Sequence, residues 1–278
     1  MHMPLGEGFE ALIDFLTLHF SVFTRAFSKI IAAGIDALVK ILNFIPPWLL
    51  IICIAVLIWK MIDKKVALFS AAGLFFIWSM GLWTQTLSTF SLVVIATAVS
   101  LLIGIPLGIF AAISNTFNRI ITPVLDFMQT MPAFVYLIPA IPFFGLGVVS
   151  AVFATVVFSV PPSIRLTSLG IRQISKEVIE ASDAFGSTRI QKLFKVQLPL
   201  AKPTIMAGVN QTIMLALSMV VIAAMIGAKG LGGEVWKAIQ RLNPGMGFEA
   251  GLAVVILAMI LDRITGRLAK GKKRRMEQ

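Results

Sequence analysis

LSTFSLVVIATAVSLLIGIPLGIFAAI, residues 87–113, runs for 27 residues without an ionisable side chain. A helix crosses the hydrocarbon core of a bilayer with about 20 mostly apolar residues, and only a helix or a closed barrel satisfies its backbone there. The stretch therefore reads as a membrane-spanning helix. Working outward, further apolar runs lie at 44–61, 66–83, 127–145, 148–168, 204–226 and 247–263, which makes about seven spans. Only a tight turn at Gly145 and Gly147 separates the fourth from the fifth. The expected fold class is an all-α integral membrane bundle. Glycine and proline recur within the spans, at Gly104, Pro106, Gly108, Pro132, Pro139, Pro142, Pro161 and Pro162. In lipid these residues permit close helix approach and kinks.

Composition agrees. The 278 residues are 58% hydrophobic and 13% charged, against about 25% charged in soluble domains. A net charge of +11 in so apolar a chain reflects basic cytoplasmic loops, so it speaks against nucleic acid as a partner. With the C-terminus inside, eighteen of the 24 Lys and Arg fall on the inner side and six on the outer. This bias predicts an N-out, C-in arrangement. The single cysteine, Cys53, forms no internal disulfide and lies in an apolar run. No basic region followed by a short apolar core and a small-residue cleavage site opens the chain, so no removable signal is expected.

Residues 1–43 differ in character. Apolar positions such as Leu12, Ile13, Leu16, Phe20, Phe27 and Ile31 recur at helical spacing among Glu10, Asp14, Arg25, Lys29 and Asp36. This predicts an amphipathic helical segment lying along the membrane interface, with packing on the bundle as the alternative, ended by Pro46 and Pro47. The expected organisation is this segment at 1–43, two accessory spans at 44–86, a core at 87–263, and a basic cytoplasmic tail at 264–278.

Certain chemistries have nothing to stand on. The spans are nearly free of ionisable groups, with Arg165 and Glu249 at span edges, which lowers the case for an ion-coupled carrier. No G-x-x-x-x-G-K-[ST] loop is present to cradle a nucleotide. No His, Cys or carboxylate cluster suggests a metal site, and no Ser/His/Asp or Cys/His set suggests a catalytic one. No catalytic residue and no bound cofactor are expected for this chain.

The longest polar loop, 169–203, falls on the inner face. It reads as two short helices joined at Gly186. Ser175 is placed to cap the first and Gly186 to end it in left-handed geometry. Thr188 and Gln191 have capping-box spacing for the second, which Leu198 and Pro199 are expected to close. Such a compact projection suits capture by another protein.

Glu180-Ala181-Ser182-Asp183-Ala184-Phe185-Gly186, then nine residues, then Val196-Gln197-Leu198-Pro199, resembles the EAA motif of bacterial ABC import permeases. Ser182 stands for the motif's second alanine and Val196 for its isoleucine. A wider resemblance covers about 87–263, carried by DFMQTMPAFVYLIPA from Asp126, NQTIMLALSMVVIAAMIGA from Asn210, and the GLGG of 230–233. These resemble the permeases of glycine betaine and proline betaine importers. The resemblance implies a type I importer permease in the bacterial cytoplasmic membrane, working as a pair, expected to be a homodimer. A separate ATPase subunit would bind ATP and Mg, and an extracytoplasmic binding protein would deliver the solute. By resemblance Glu180, Ala181, Ser182, Phe185, Gly186, Leu198 and Pro199 form the segment that seats in the ATPase. Gln129, Tyr136 and Asn210 are the candidates for lining the passage, against the competing role of hydrogen bonding between helices. Choline, carnitine or proline is the alternative solute, and an ion-coupled secondary transporter the alternative class.

Overall fold

The computed structural model describes residues 5–270, which form thirteen α-helices and no strand. The N-terminal part comprises α1 (Leu5–His19), α2 (Ser21–Phe44), α3 (Pro47–Met61) and α4 (Lys64–Ser79). The long α5 (Trp83–Ile113) follows, then α6 (Asn115–Thr130), α7 (Leu137–Phe144) and α8 (Val148–Arg172). The polar loop holds α9 (Lys176–Ala184) and α10 (Arg189–Gln191), after which α11 (Leu198–Ala224), α12 (Leu231–Gln240) and α13 (Pro244–Lys270) complete the chain.

The centre of the molecule is α8, with α5 on one side and α11 on the other. Small residues on facing ridges explain the close approach. A Cβ added at Gly104 would sit 1.7 Å from Ser163 Oγ, and one at Gly108 would meet the Ile164 carbonyl at 2.7 Å. Ser100 and Ser159 hydroxyls meet at 3.0 Å between the same helices. The steps 100 to 159, 104 to 163 and 108 to 167 make α5 and α8 parallel. On the other side Gly170 faces Ala201 while Gly208 faces Pro162, so α11 runs antiparallel. Leu92, Val93, Ala151, Val152, Ala216 and Met219 fill the core between them.

Where the ends fall follows from these pairings. Arg172 reaches the Ala111 carbonyl, Gly170 meets Thr204, Asn210 in the first half of α11 meets Asp262 and Thr265 near the end of α13, and Arg267 pairs with Asp63. The C-terminal ends of α5, α8 and α13 and the N-terminal ends of α4 and α11 therefore share one end of the bundle. The polar loop projects from that end.

The spans differ in detail from those expected. Among the described residues, four helices are long and apolar enough to cross a membrane: Trp83–Ile113, Val148–Arg172, Arg189–Ala224 and Pro244–Arg267. Two bent pairs raise this to six if each counts as one crossing: Thr24–Phe44 with Pro47–Met61 at 101°, and Asn115–Thr130 with Ala133–Phe144 at 110°. The expected helix at 127–145 is broken because Met131 precedes Pro132, which disfavours helical geometry; its ψ is 135°. The accessory helices α3 and α4 hold 15 and 16 residues. The second of them stops before the expected Trp83 because Gly81 turns the chain at a φ of +71°.

In the N-terminal segment, α2 lays Ile31 and Ile35 into the main core, and a Cβ added at Gly34 would sit 3.6 Å from Ile95 of α5. Its opposite face exposes Val22, Ile30 and Ile41. Of the expected basic tail, Lys272, Lys273, Arg274 and Arg275 lie outside the described residues.

Candidate functional site

The polar loop is a helical hairpin whose turn is built in hydrogen bonds. The N–H groups of Gly186 and Ser187 donate to the Asp183 and Ser182 carbonyls at 2.9 and 3.2 Å. This is the paired C-terminal cap in which the residue after the helix adopts left-handed geometry. Gly186 does so, with φ +71°. Lys192 Nζ then ties the second helix to the first through Asp183 at 2.6 and 2.8 Å. Thr188 and Gln191 form the expected capping box, with the Thr188 N–H donating to Gln191 Oε1 at 3.0 Å and the Gln191 N–H to Thr188 Oγ1 at 3.3 Å.

Two local expectations are corrected. Ser175 occupies the cap position of α9 but makes no side-chain bond to the helix backbone. Its hydroxyl serves the Glu177 carboxylate, which also accepts from its own backbone N–H; the backbone bond first and the hydroxyl second hold Glu177 below its ordinary pKa. Leu198 and Pro199 do not close the second helix. A π-helical stretch, Lys192–Gln197, carries it into α11, and Arg189–Ala224 forms one helix of 36 residues. The physical reason lies in Pro199, which donates no N–H and whose ring crowds the carbonyl four residues back. The wider turn, in which the Leu198 N–H reaches the Leu193 carbonyl, accommodates both demands without ending the helix.

The residues expected to seat in a partner are thereby distributed over one projection. Glu180, Ala181, Phe185, Gly186 and Pro199 are exposed, and Leu198 is half-buried. Phe185 at the turn is 91% exposed, and Ile190 and Phe194 nearby are exposed too. Ser182 points into the hairpin, buried, with no hydrogen-bond partner for its hydroxyl. The chemistry on offer is apolar docking beside a carboxylate, with no reactive group.

The three passage candidates sit in separate surroundings. Gln129 is exposed on α6. Tyr136 is buried in the main core, where its hydroxyl donates to the Met128 carbonyl and its ring meets Phe158 edge-on at 5.8 Å. Asn210 bridges α11 and α13, donating to Asp262 at 2.9 Å and accepting from Thr265. A feature that sequence reasoning passed over lies between α6 and α8: Arg165 Nη2 donates to Asp126 Oδ1 at 2.5 Å. Arg165 borders a cavity of about 300 Å³ whose walls include Asn118, Thr122, Ser168 and Arg172. The available signal was a charge seven residues inside the end of an apolar helix. Its partner, 39 positions away, could not be paired from spacing.

Residues 104–275, which include the glycine-packed helices and the hairpin, match the family described as the binding-protein-dependent transport system inner membrane component. The chain belongs to that family. Among its similar proteins is the glycine betaine transport system permease protein OpuAB of Bacillus subtilis, 50% identical over 98% of this chain and 97% of the relative. The glycine betaine/carnitine transport permease protein GbuB of Listeria monocytogenes is also 50% identical, over 98% and 97%. The glycine betaine/proline betaine transport system permease protein ProW of Escherichia coli is 43% identical, over 98% and 77%. An inward-facing structure of the MetNI methionine ABC transporter aligns with 66% of this transport component and 91% of that chain, at a TM-score of 0.61 and 21% identity. That likeness concerns the fold of the bundle.

Proposed function

We propose that this chain is the membrane-spanning subunit of an ATP-driven importer in the bacterial cytoplasmic membrane, moving glycine betaine or a related quaternary ammonium solute. The solute class rests on the names of relatives at 50% identity over nearly the whole chain. Carnitine stands as the second solute because one of those names includes it. The chain crosses the membrane seven times, N-out and C-in, if the short α3 and α4 each span. Two copies form the passage, and a binding protein outside hands the solute over.

The observation that carries the reading is the hairpin at 175–199. A transport subunit with no nucleotide cradle needs a stiff contact to a separate ATPase, and here exposed Phe185, Ile190 and Phe194 project from the end where Lys and Arg gather. The expected contact set is Glu180, Ala181, Ser182, Phe185, Gly186, Leu198 and Pro199. ATP binding by that partner must favour one orientation of the bundle by several kcal/mol to switch a two-state population.

The test is reconstitution in liposomes with the cognate ATPase and binding protein, followed by ATP-dependent uptake of labelled glycine betaine. Uptake that needs all three components supports the reading. A complex that forms with the ATPase yet imports no quaternary ammonium solute overturns the solute class, and uptake without ATP overturns the energy source.

A further inference from the structure

We infer that Arg165 is the group that receives the solute's carboxylate in the passage, with Asp126 holding its place when no solute is bound. The inference rests on the proposed reading that the solute is a betaine, a zwitterion with a carboxylate and a quaternary ammonium.

Arg165 lies in α8 seven residues from its end at Arg172, roughly 10 Å into the helix, within a stretch apolar enough to span. Charges there are costly and persist chiefly where they serve transport. A purely structural role fits the pair poorly. The Arg165–Asp126 side chains are 33% and 58% exposed and share a single contact, and pairs so exposed contribute little to stability. Arg172 shows what a structural arginine looks like here. Its guanidinium bonds the Ala111 carbonyl from two nitrogens and Asn115 Oδ1 from a third, at the negative end of α5.

Arg165, by contrast, has unused capacity. Only Nη2 is engaged, and Nε is buried without a partner. The guanidinium borders the cavity of about 300 Å³, whose wall mixes Asn118, Thr122 and Ser168 with Leu125. That volume is at the small end of ligand pockets and suits a solute of betaine size. The wall of the cavity is completed by α6, the helix that also carries the exposed Arg119, Asp126 and Gln129.

The chemistry is an exchange. A carboxylate docks on a guanidinium through two parallel hydrogen bonds, a geometry that a single Asp126 contact leaves open. When the solute enters, its carboxylate takes Arg165 and the released Asp126 faces the quaternary ammonium. Each charge keeps a partner throughout, so neither is stranded during passage. A cation that lacks a carboxylate meets Arg165 without any such exchange and is repelled.

The experiment uses the complete reconstituted transporter. R165Q is expected to co-purify with the ATPase yet lose about tenfold or more of its glycine betaine uptake, as loss of a charged hydrogen bond implies. The exchanged pair D126R/R165D restores the ion pair in reverse and is expected to leave uptake low. Restored uptake in that double variant, or unchanged uptake in R165Q, would overturn the assignment while leaving the betaine reading intact. If R165Q fails to assemble, R165K is measured instead: a raised apparent KM for betaine is expected, and an unchanged KM refutes the role. A wild-type transporter that carries only carboxylate-free cations overturns both readings together.

Discussion

Gly186 is held at a φ of +71° with open space around the position a Cβ would take, so backbone geometry alone restricts what can stand there. Left-handed geometry costs an L-residue about 1–2 kcal/mol, and a β-branched one more. G186V is therefore expected to insert and pack normally but to distort the turn, so that ATP hydrolysis proceeds with little uptake. The ratio of the two rates in liposomes checks it, and a wild-type ratio would refute the coupling role. Glu177 offers a pH test in the same hairpin. Its pKa is lowered, first by its own backbone N–H and then by Ser175. The sign follows: the carboxylate form stabilises the start of α9 above the ordinary carboxylate pKa, and the benefit is lost as pH falls through the lowered value. The protection factors of the first-turn amides, corrected at each pH for the intrinsic exchange rate, should hold steady down through the ordinary carboxylate range and fall only below it, whereas E177Q should show no such step.

At the scale of elements, the capping box of Thr188 and Gln191 nucleates the helix that runs on into α11. T188A removes one of its two bonds and should weaken that start by about 1 kcal/mol. Amide exchange at residues 189–192 should then speed up about fivefold, a change that a purely solvated loop would not show. This cap was legible in the sequence because it depends on residues three apart, and so was Gly186, because no other residue takes that conformation as readily. The continuity of the helix through Pro199 was not legible. Proline ordinarily reads as a stop or kink, and only the folded chain shows the wide turn that absorbs it. Pro132 did break its helix, where the preceding Met131 is extended. Identical residue types thus act oppositely according to whether the turn before them can widen. The Asp126–Arg165 pair belongs to the same class of hidden features, since tertiary packing alone joins two helices 39 positions apart.

Across the whole molecule, the four long apolar helices were readable from length and hydropathy, but the break within 127–145, the short accessory helices and the role of the N-terminal segment were not. Its alternation of apolar and charged residues suits a lipid interface and a protein surface equally, and the structure places Ile31 and Ile35 of α2 in the main core. I31A should lower the stability of the purified, detergent-solubilised subunit by about 2 kcal/mol or more, seen as a lower Tm. I30A on the exposed face should leave it unchanged. The unbroken helix Arg189–Ala224 has a mechanical meaning as well. At 36 residues it is a strut of roughly 54 Å rooted in the hairpin, so a tilt of about 5° at the base sweeps its far tip through nearly 5 Å, by the same length. The stroke needs no hydrogen bond to break along the way. Force applied at the hairpin arrives at the opposite face as displacement, which is what a machine with its motor on one side and its gate on the other requires.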